Sequence, residues 1–493
     1  MKPYLSKTQF LRGLQCHKAL WLLKNRSDLV PGPSDALLAI FEEGHEVGEL
    51  AQGLFPGGEE IEYLDDKEKM IGKTADIIRN GARTIYEATF RFDNILVIAD
   101  ILHHGPKGWE IYEVKSGTSV KEINIWDVAL QYYVIREAGL DIRGASLVHI
   151  DNTYERRGDL DIRRLFAIED MTEEVVARRD AVRDEIEAMR RDLGPEGPAV
   201  DIGPHCKDPF ECDFKPHCWA HVPETSIFDI NRLGARKKFD LYYRGMVKFS
   251  DLPEDYPLSE RQRMQVDAEL DDRDYVNVDK IREFLRGLRY PRYYLDFETF
   301  QMAIPPFDAV RPYEHVPFQF SLHVVEGEGA PLLHHEFLAE PGPDPRKEIA
   351  RRLTALIPPE ATVIAYNANF EKMILRGLAE RFPEYRERLE EIISNMVDLA
   401  MPFRLGYCYR KEMKGSASLK AVLPALVPEL GYDGMAIGGG QEASAAYGML
   451  RRTDDEAEKA RIKKSLLEYC KLDTLAMVRL VEVLEGLCKG TGQ

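Results

Sequence analysis

The sequence predicts an α/β protein built as two domains joined by a helical connector. Three observations carry that expectation. At 493 residues the chain is too long for one hydrophobic core, so two or three domains follow from length. A composition of 44% hydrophobic and 30% charged residues is that of an ordinary globular protein. Short apolar runs with strand character alternate with longer segments of helical period in both halves.

The first domain is expected over residues 1–220. A helix begins near Ser6, with Phe10, Leu14, Leu20 and Trp21 as its apolar positions, and a second runs through 36–53. Residues 95–102 read as a strand, His104-Gly105-Pro106-Lys107-Gly108 as a turn, and 109–115 as the returning strand of a hairpin. A helix over 127–138 leads to a strand at 145–150. One long charged helix, 171–193, stops at Gly194-Pro195-Glu196-Gly197-Pro198. Residues 221–289 read as a small helical connector, because Leu241, Tyr242, Val247 and Phe249 require burial although Pro253 and Pro257 interrupt. The last domain, 290–493, opens with a strand at 293–296. It continues antiparallel through 318–325, a turn at 326–329 and a strand at 332–338. A further strand, 362–366, runs into a helix over 370–381, and the final helix spans 455–488.

The net charge of −18 excludes holding a polyanion through an overall field. Residues 1–220 carry 28 Lys and Arg against 40 Asp and Glu, a balance of −12 that leaves −6 downstream. Any nucleic acid must be held by local basic strips and bound cations. Arg232, Arg236, Lys237, Lys238, Arg244 and Lys248 form the best strip; a solvated helix face accounts for the same residues equally well. Met1-Lys2-Pro3-Tyr4 opens no signal-peptide pattern, and no apolar run approaches the ~18 residues of a membrane span. The expectation is a cytoplasmic protein with no membrane partner.

Asp296 and Glu298 lie in Tyr293-Tyr294-Leu295-Asp296-Phe297-Glu298-Thr299. In a strand, residues i and i+2 share a face, roughly 7 Å apart at ~3.3 Å rise per residue. Two anions so close repel unless a cation lies between them. The pair therefore reads as a divalent-metal site for phosphodiester cleavage. Glu371 follows Asn367-Ala368-Asn369-Phe370 at a strand-to-helix junction, where an Asn cap would put it in the first helical turn. Tyr469 and Asp473, four apart, share a helix face, so a phenol and a carboxylate can enter one cleft. Phosphodiester hydrolysis needs a positioned hydroxide and relief of charge on the leaving oxygen, which two Mg²⁺ or Mn²⁺ ions supply. Hard cations of this kind take carboxylate oxygens.

In the first domain, Asp100 ends one strand and Glu113 and Lys115 lie across the hairpin turn, sharing a face while Tyr112 and Val114 point the other way. Asp100 and Glu113 can bind a metal, and Lys115 can steer water and stabilise charge on phosphate. A cross-strand salt bridge is the structural alternative. His45 on an early helix, Glu87 before the Asp100 strand and Gln131 on the helix after Lys115 accompany them. Seven cysteines is an odd count in a chain too large to need disulfide staples. Cys16, Cys206, Cys212 and Cys218 call for a metal, whereas Cys408, Cys470 and Cys488 read as isolated buried thiols. On softness alone, thiolates suit iron–sulfur or zinc equally, and His205 and His217 flank the set.

Residues 290–488 resemble the DnaQ-like, or DEDD, 3′–5′ exonucleases. Asp296 and Glu298 match their first motif, Asn367–Glu371 the second, and Tyr469-x-x-x-Asp473 the third of the tyrosine subgroup. The resemblance implies a ribonuclease H-like mixed sheet with flanking helices. It also implies up to two Mg²⁺ or Mn²⁺ ions on Asp296, Glu298, Glu371 and Asp473, with Tyr469 orienting the attacking water. It departs at Glu371, where the family carries Asp. Asp398 is the runner-up for that acid, and a C-terminal fold that binds nucleic acid without cutting is the alternative. Residues 1–220 resemble the RecB-type PD-(D/E)XK nucleases through His45, Asp100, Glu113-x-Lys115 and Gln131-Tyr132. That likeness implies a restriction-endonuclease-like core, with His45, Asp100 and Glu113 as metal ligands, Lys115 catalytic, and Gln131 orienting the lysine or the phosphate. One branch, which includes the CRISPR-associated RecB-like exonucleases and the AddB nuclease domain, pins its termini with a [4Fe–4S] cluster. It uses one Cys before the core and three after, matched by Cys16 and by Cys206, Cys212 and Cys218. The five-residue gap after Cys206 departs from the usual two, and zinc is the lesser expectation. The whole chain resembles a bacterial family with this fusion, which implies DNA rather than RNA as substrate, single-stranded ends in particular, in repair or in defence against foreign DNA.

Overall fold

The computed structural model describes residues 4–489. Residues 1–3 and 490–493, which the expected first and last domains include, lie outside the described residues, as does the Met1-Lys2-Pro3 start. The fold is α/β, in two compact units that each hold a mixed sheet and helices. Among the described residues, no helix is long and apolar enough to cross a membrane.

The first unit comprises Met1–His221 together with Met302–Glu314. Its sheet contains β1 (Leu5–Ser6), β2 (Glu59–Glu60), β3 (Thr84–Phe92), β4 (Ile95–Gly105), β5 (Gly108–Lys115), β6 (Ile142–Ile150) and β7 (Phe166–Asp170). The strands run in the order β2-β3-β4-β5-β6-β7, with β1 parallel to β4. β4 and β5 form the expected hairpin, closing at Gly105 opposite Gly108, where the backbone has φ 128° and a side chain would be strained. Ser6 caps α1 (Lys7–Gln15), with Gln9 completing a capping box.

The expected first helix is broken at Cys16, an extended residue (φ −164°) that ends α1 and begins α2 (His17–Asn25). Downstream come α3 (Asp35–Gln52), α4 (Lys67–Arg79) and α5 (Glu122–Glu137), which crosses between the parallel strands β5 and β6. The expected helix over 171–193 is two, α6 (Thr172–Ala177) and α7 (Arg179–Asp192). At Arg178 the backbone N–H reaches only three residues back, to Val175, which tightens the turn. The Arg178 guanidinium meanwhile binds Glu122 of α5 at 2.8 Å.

The second unit comprises Val222–Gln301 and His315–Gln493. The boundaries therefore differ from expectation in two ways. Residues 222–289 are part of this unit rather than a separate connector, because Ile281 and Leu288 sit in one core with Phe403, Met477 and Leu480. Residues 302–314 belong to the first unit: Ala303 is fully buried there and its N–H donates to Glu43 Oε1 at 2.6 Å. The Tyr313 hydroxyl donates to the Ser116 carbonyl.

The second unit opens with α8 (Ala235–Tyr243) and α9 (Glu260–Leu270), then β8 (Tyr275–Val276) and α10 (Val278–Leu285). Its main sheet is β9 (Arg292–Phe300), β10 (Val316–Val325), β11 (Leu333–Leu338), β12 (Thr362–Ala365) and β13 (Met396–Asp398), in the order β11-β10-β9-β12-β13. β9, β10 and β11 are successively antiparallel, as expected; β12 and β13 run parallel to β9. β14 (Cys408–Tyr409) pairs with β8. Helices α11 (Arg346–Leu356), α12 (Asn369–Arg381), α13 (Arg386–Ser394), α14 (Leu419–Leu426), α15 (Gly440–Arg452) and α16 (Glu456–Lys489) flank the sheet.

Polar bonds lock α16 to the sheet. Gln319 donates to the Leu466 carbonyl at 2.8 Å, Thr474 Oγ1 lies 2.7 Å from both Ser321 Oγ and His323 Nδ1, and Arg292 pairs with Glu485 at 2.7 Å. Buried groups satisfied this way fix one register, and that register sets where Tyr469, Cys470 and Asp473 point.

Candidate active sites and a four-cysteine centre

In the second unit, β9 alternation turns Asp296 and Glu298 to one face. Both meet α16. Among the described residues, Asp296, Glu298 and Cys470 are the one trio of His, Cys, Asp or Glu donors whose ligand atoms all lie within 4.8 Å of one another. Asp473 and Glu371 complete the cluster, since Asp296 feels the charge of both as well as that of Glu298. Asp473 accepts hydrogen bonds from the Tyr469 and Tyr432 phenols. Burial raises the Asp296 and Glu298 carboxyls well above the usual range, and their acidic neighbours push them further. Asp473 is pushed up to about 6 by burial, restrained by the two phenols and Lys420. Four carboxylates crowded with so little compensating charge are the electrostatic signature of a cation site.

Glu371 is in the first turn of α12, as expected, although Asn367 does not cap that helix. Asn367 has φ 67°, and its side-chain oxygen accepts from Arg404 at 2.8 Å. Glu371 is 3% exposed, and its Oε2 is buried without a hydrogen-bond partner. An orphaned buried oxygen is costly and fits a metal ligand. Asp398 is otherwise engaged: it accepts from the Asn367 and Ala400 N–H groups at 2.9 Å and lies 3.4 Å from Arg404.

Burial pushes Glu371 up to about 8, with Asp398 adding to the rise. The folded state thus binds its proton more tightly than the unfolded chain, so metal-free protein loses stability as pH climbs from about 4.5 to 8. Glu371→Gln keeps the shape without the charge. In EDTA it is expected to melt with the parent at pH 5 and several degrees above it at pH 8. Parallel melting curves at both pH values would contradict the assignment.

In the first unit, Asp100 on β4 and Glu113 and Lys115 on β5 converge as expected, with partners that sequence reasoning missed. Glu113 is fully buried. Its carboxylate accepts from Lys7 at 2.7 Å, from Lys115, and from Gln131 at 2.7 Å. Asp127, 2% exposed, lies 2.8 Å from Lys115 and 3.5 Å from Lys7 and accepts from Gln131 at 3.0 Å. Burial alone would raise the Glu113 carboxyl, yet the two lysines hold it well below the usual range. Asp100 accepts from the Val114 N–H at 2.7 Å and is pushed up to about 7 by burial and by Glu113. Glu87 lies on β3 between Tyr86 and Ala88, which pair with Ile101 and Ala99 on either side of Asp100, and its backbone has φ 58°, a strained position for a strand residue. Burial raises its carboxyl.

Gln131 donates to the acids Glu113 and Asp127, the first of which holds Lys115, and its Oε1 is buried without a partner. His45 does not converge with Asp100 and Glu113 as a ligand. Its ring is 79% exposed on α3 and pairs with Glu49 at 3.2 Å, one turn along the helix, while its charge reaches Glu87.

Cys16, Cys206, Cys212 and Cys218 line one cavity. Backbone N–H groups point at the sulfurs: Lys18 and Ala19 at Cys16, Gly203 at Cys206 (3.5 Å), and Phe214 at Cys212. Gln15 braces the loop by donating to the His205 and Phe210 carbonyls at 2.8 and 2.6 Å. N–H donors of this kind stabilise thiolates and tune iron–sulfur centres. His217 lies near Asp28, whose charge it influences. A single tetrahedral zinc would draw four sulfurs to roughly 3.8 Å of one another at Zn–S ≈ 2.3 Å. The four thiols are more widely spaced, because no three of them converge within 4.8 Å.

Of the expected basic strip, Arg232, Arg236, Lys237, Arg244 and Lys248 are exposed, while Lys238 donates to the Phe228 carbonyl at 2.6 Å.

Fold and sites define an α/β protein whose two units each gather buried carboxylates, with four thiols clustered in the first. Residues 293–418, which include Asp296, Glu298 and Glu371, match DUF2779, a domain of unknown function. Over 219 residues the chain is 26% identical to an uncharacterised Mycoplasma pneumoniae protein, the homologue of MG366, covering 41% of this chain and 33% of that one. MG366 itself, an uncharacterised protein of Mycoplasma genitalium, is 25% identical over 228 residues, 43% of this chain and 34% of the relative. The chain thus matches about a third of the length of these curated relatives.

Proposed function

We propose that the protein is a metal-dependent nuclease that hydrolyses DNA, with a RecB-like PD-(D/E)XK site in the first unit, a DnaQ-like DEDD site in the second, and an iron–sulfur clasp. The observation that carries the reading is the second cluster: carboxylates from β9, α12 and α16 near enough for Asp296 to feel the charge of the others, one of them, Glu371, with a buried oxygen that lacks a partner. The mixed five-stranded sheet with flanking helices is the architecture that the DEDD resemblance implies. When bound, Mg²⁺ or Mn²⁺ would supply a hydroxide at neutral pH and neutralise charge on phosphate.

Asp296, Glu298, Glu371 and Asp473 hold cations in this reading. The Tyr469 phenol, already donating to Asp473, orients the attacking water. In the first unit Lys115 faces the phosphate, and Glu113, fixed by Gln131 and Lys7, places that lysine while Asp100 provides the second acid. Cys16, Cys206, Cys212 and Cys218 hold the cluster, whose role is structural. The reading places the enzyme in the cytoplasm, with single-stranded DNA ends as its substrates.

The test is incubation of the purified protein with end-labelled single-stranded DNA and Mn²⁺ or Mg²⁺. Progressive shortening that EDTA stops is expected. Intact DNA after prolonged incubation with either ion would defeat the proposal.

A further inference from the structure

We infer that Lys420 is the substrate-binding cation of the second site, placed to hold the terminal phosphodiester; this deepens the nuclease reading and rests on it. Lys420 lies in the first turn of α14, and its ammonium stands over two phenol rings, 5.7 Å from the centroid of Tyr432 and 5.8 Å from that of Tyr469. Both rings belong to the cluster, since both donate to Asp473. Cation–π contact on two faces fixes the ammonium while leaving its N–H groups available. Glu298 and Asp473 each feel its charge.

Charge balance says what that ammonium is for. Four carboxylates carry a formal charge of −4, which two divalent cations cancel. A phosphodiester then brings one further negative charge beside buried acids, where an unbalanced ion is costly. Lys420 supplies the single positive charge that restores neutrality.

The chain also keeps space for it. A Cβ on Gly439 would stand 2.7 Å from Lys420 Nζ, and one on Gly440 would stand 3.7 Å from Glu298 Oε2. Gly439 has φ −170°, extended backbone open to any residue. A side chain there would push the ammonium at the flexible end of Lys420 off its place over the two rings.

Lys420 is exposed, so substitution leaves the fold intact. The probe is a fluorescein-labelled single-stranded oligothymidylate, read by anisotropy in Ca²⁺. One version carries a normal 3′-terminal linkage and the other a neutral methylphosphonate there. Lys420→Met is expected to weaken binding of the normal strand by about 10- to 100-fold and to be indifferent to the neutral linkage, which by itself weakens the parent. Lys420→Arg restores most of the affinity. Gly439→Ala, which displaces the ammonium, falls between. The slope of log affinity against log salt becomes shallower by about 0.7 in Lys420→Met, the loss of one single-strand phosphate contact. Equal penalties from the neutral linkage in parent and Lys420→Met would overturn the role of Lys420 while leaving the nuclease reading in place. A parent that neither binds the oligonucleotide nor shortens it with Mn²⁺ would remove both.

Discussion

Asp100→Ala combined with Asp296→Ala is expected to abolish metal-dependent DNA shortening, by more than about 10³-fold. Loss of one preorganised stabiliser already costs ~10²–10³, and here each site loses an acid from its centre. The two positions are chosen because their removal spares the fold. Asp100 is pushed up to about 7 and Asp296 well above the usual range, in both cases first by burial. Such groups make the charged form costly in the metal-free protein, so their removal relieves a burial penalty that offsets the Val114 N–H acceptor lost with Asp100. Glu113 would be a poor choice. Its loss leaves the half-buried Lys7 and Lys115 with Asp127 as their close partner, and removing a fully buried acid from such a network destabilises the fold. Melting curves in EDTA check that the double variant is folded, with at most a small loss from the Val114 N–H that Asp100 leaves without an acceptor. The single variants then divide the activity. If Asp296→Ala retains all shortening but binds DNA more weakly, the second unit is a clamp rather than a blade. Undiminished shortening by the folded double variant would end the two-site reading.

What the sequence reveals of these sites follows the range of the interaction concerned. Asp296 and Glu298 are legible because strand alternation alone puts them together, and Tyr469 and Asp473 because a helix does the same at four residues. Asp127 was within reach by that rule, lying four before Gln131 on α5. Lys7 was not: 106 positions separate it from Glu113, and only the packing of α1 against the sheet joins them. Tyr432 lies between α14 and α15, where no period signals a direction. Cys470 looks like an ordinary buried thiol beside Tyr469. Yet the helical turn from one to the next aims its sulfur at β9, 3.6 Å from Asp296 Oδ2. The β4–β5 hairpin, the antiparallel run of β9, β10 and β11, and helices α3, α5, α12 and α16 were visible as hydrophobic patterns. The breaks at Cys16 and Arg178 were not, because both come from single residues serving a tertiary contact, and periodicity averages over single residues. The same holds for 302–314, whose place in the first unit depends on Ala303 and Tyr313.

Cys206→Ser is expected to have the largest effect on stability. Cys16 and Cys206 enclose 189 residues, and in the chain-entropy limit a link across so long a loop restrains the unfolded state by about 5 kcal/mol. That is a large part of the 5–15 kcal/mol by which a domain is ordinarily stable. The parent, isolated without oxygen, should show broad visible absorbance and about four iron atoms per chain. The variant should lose colour and iron together, and its first unit should melt well below that of the parent while the second unit keeps its own transition. Zinc would announce itself differently, as a colourless protein with about one metal per chain, and would require the thiols to contract to roughly 3.8 Å. Their wider spacing in the metal-free fold makes that contraction a rearrangement of the loop that Gln15 braces. If Cys206→Ser binds iron and melts as the parent does, the four cysteines share a cavity without sharing a cofactor.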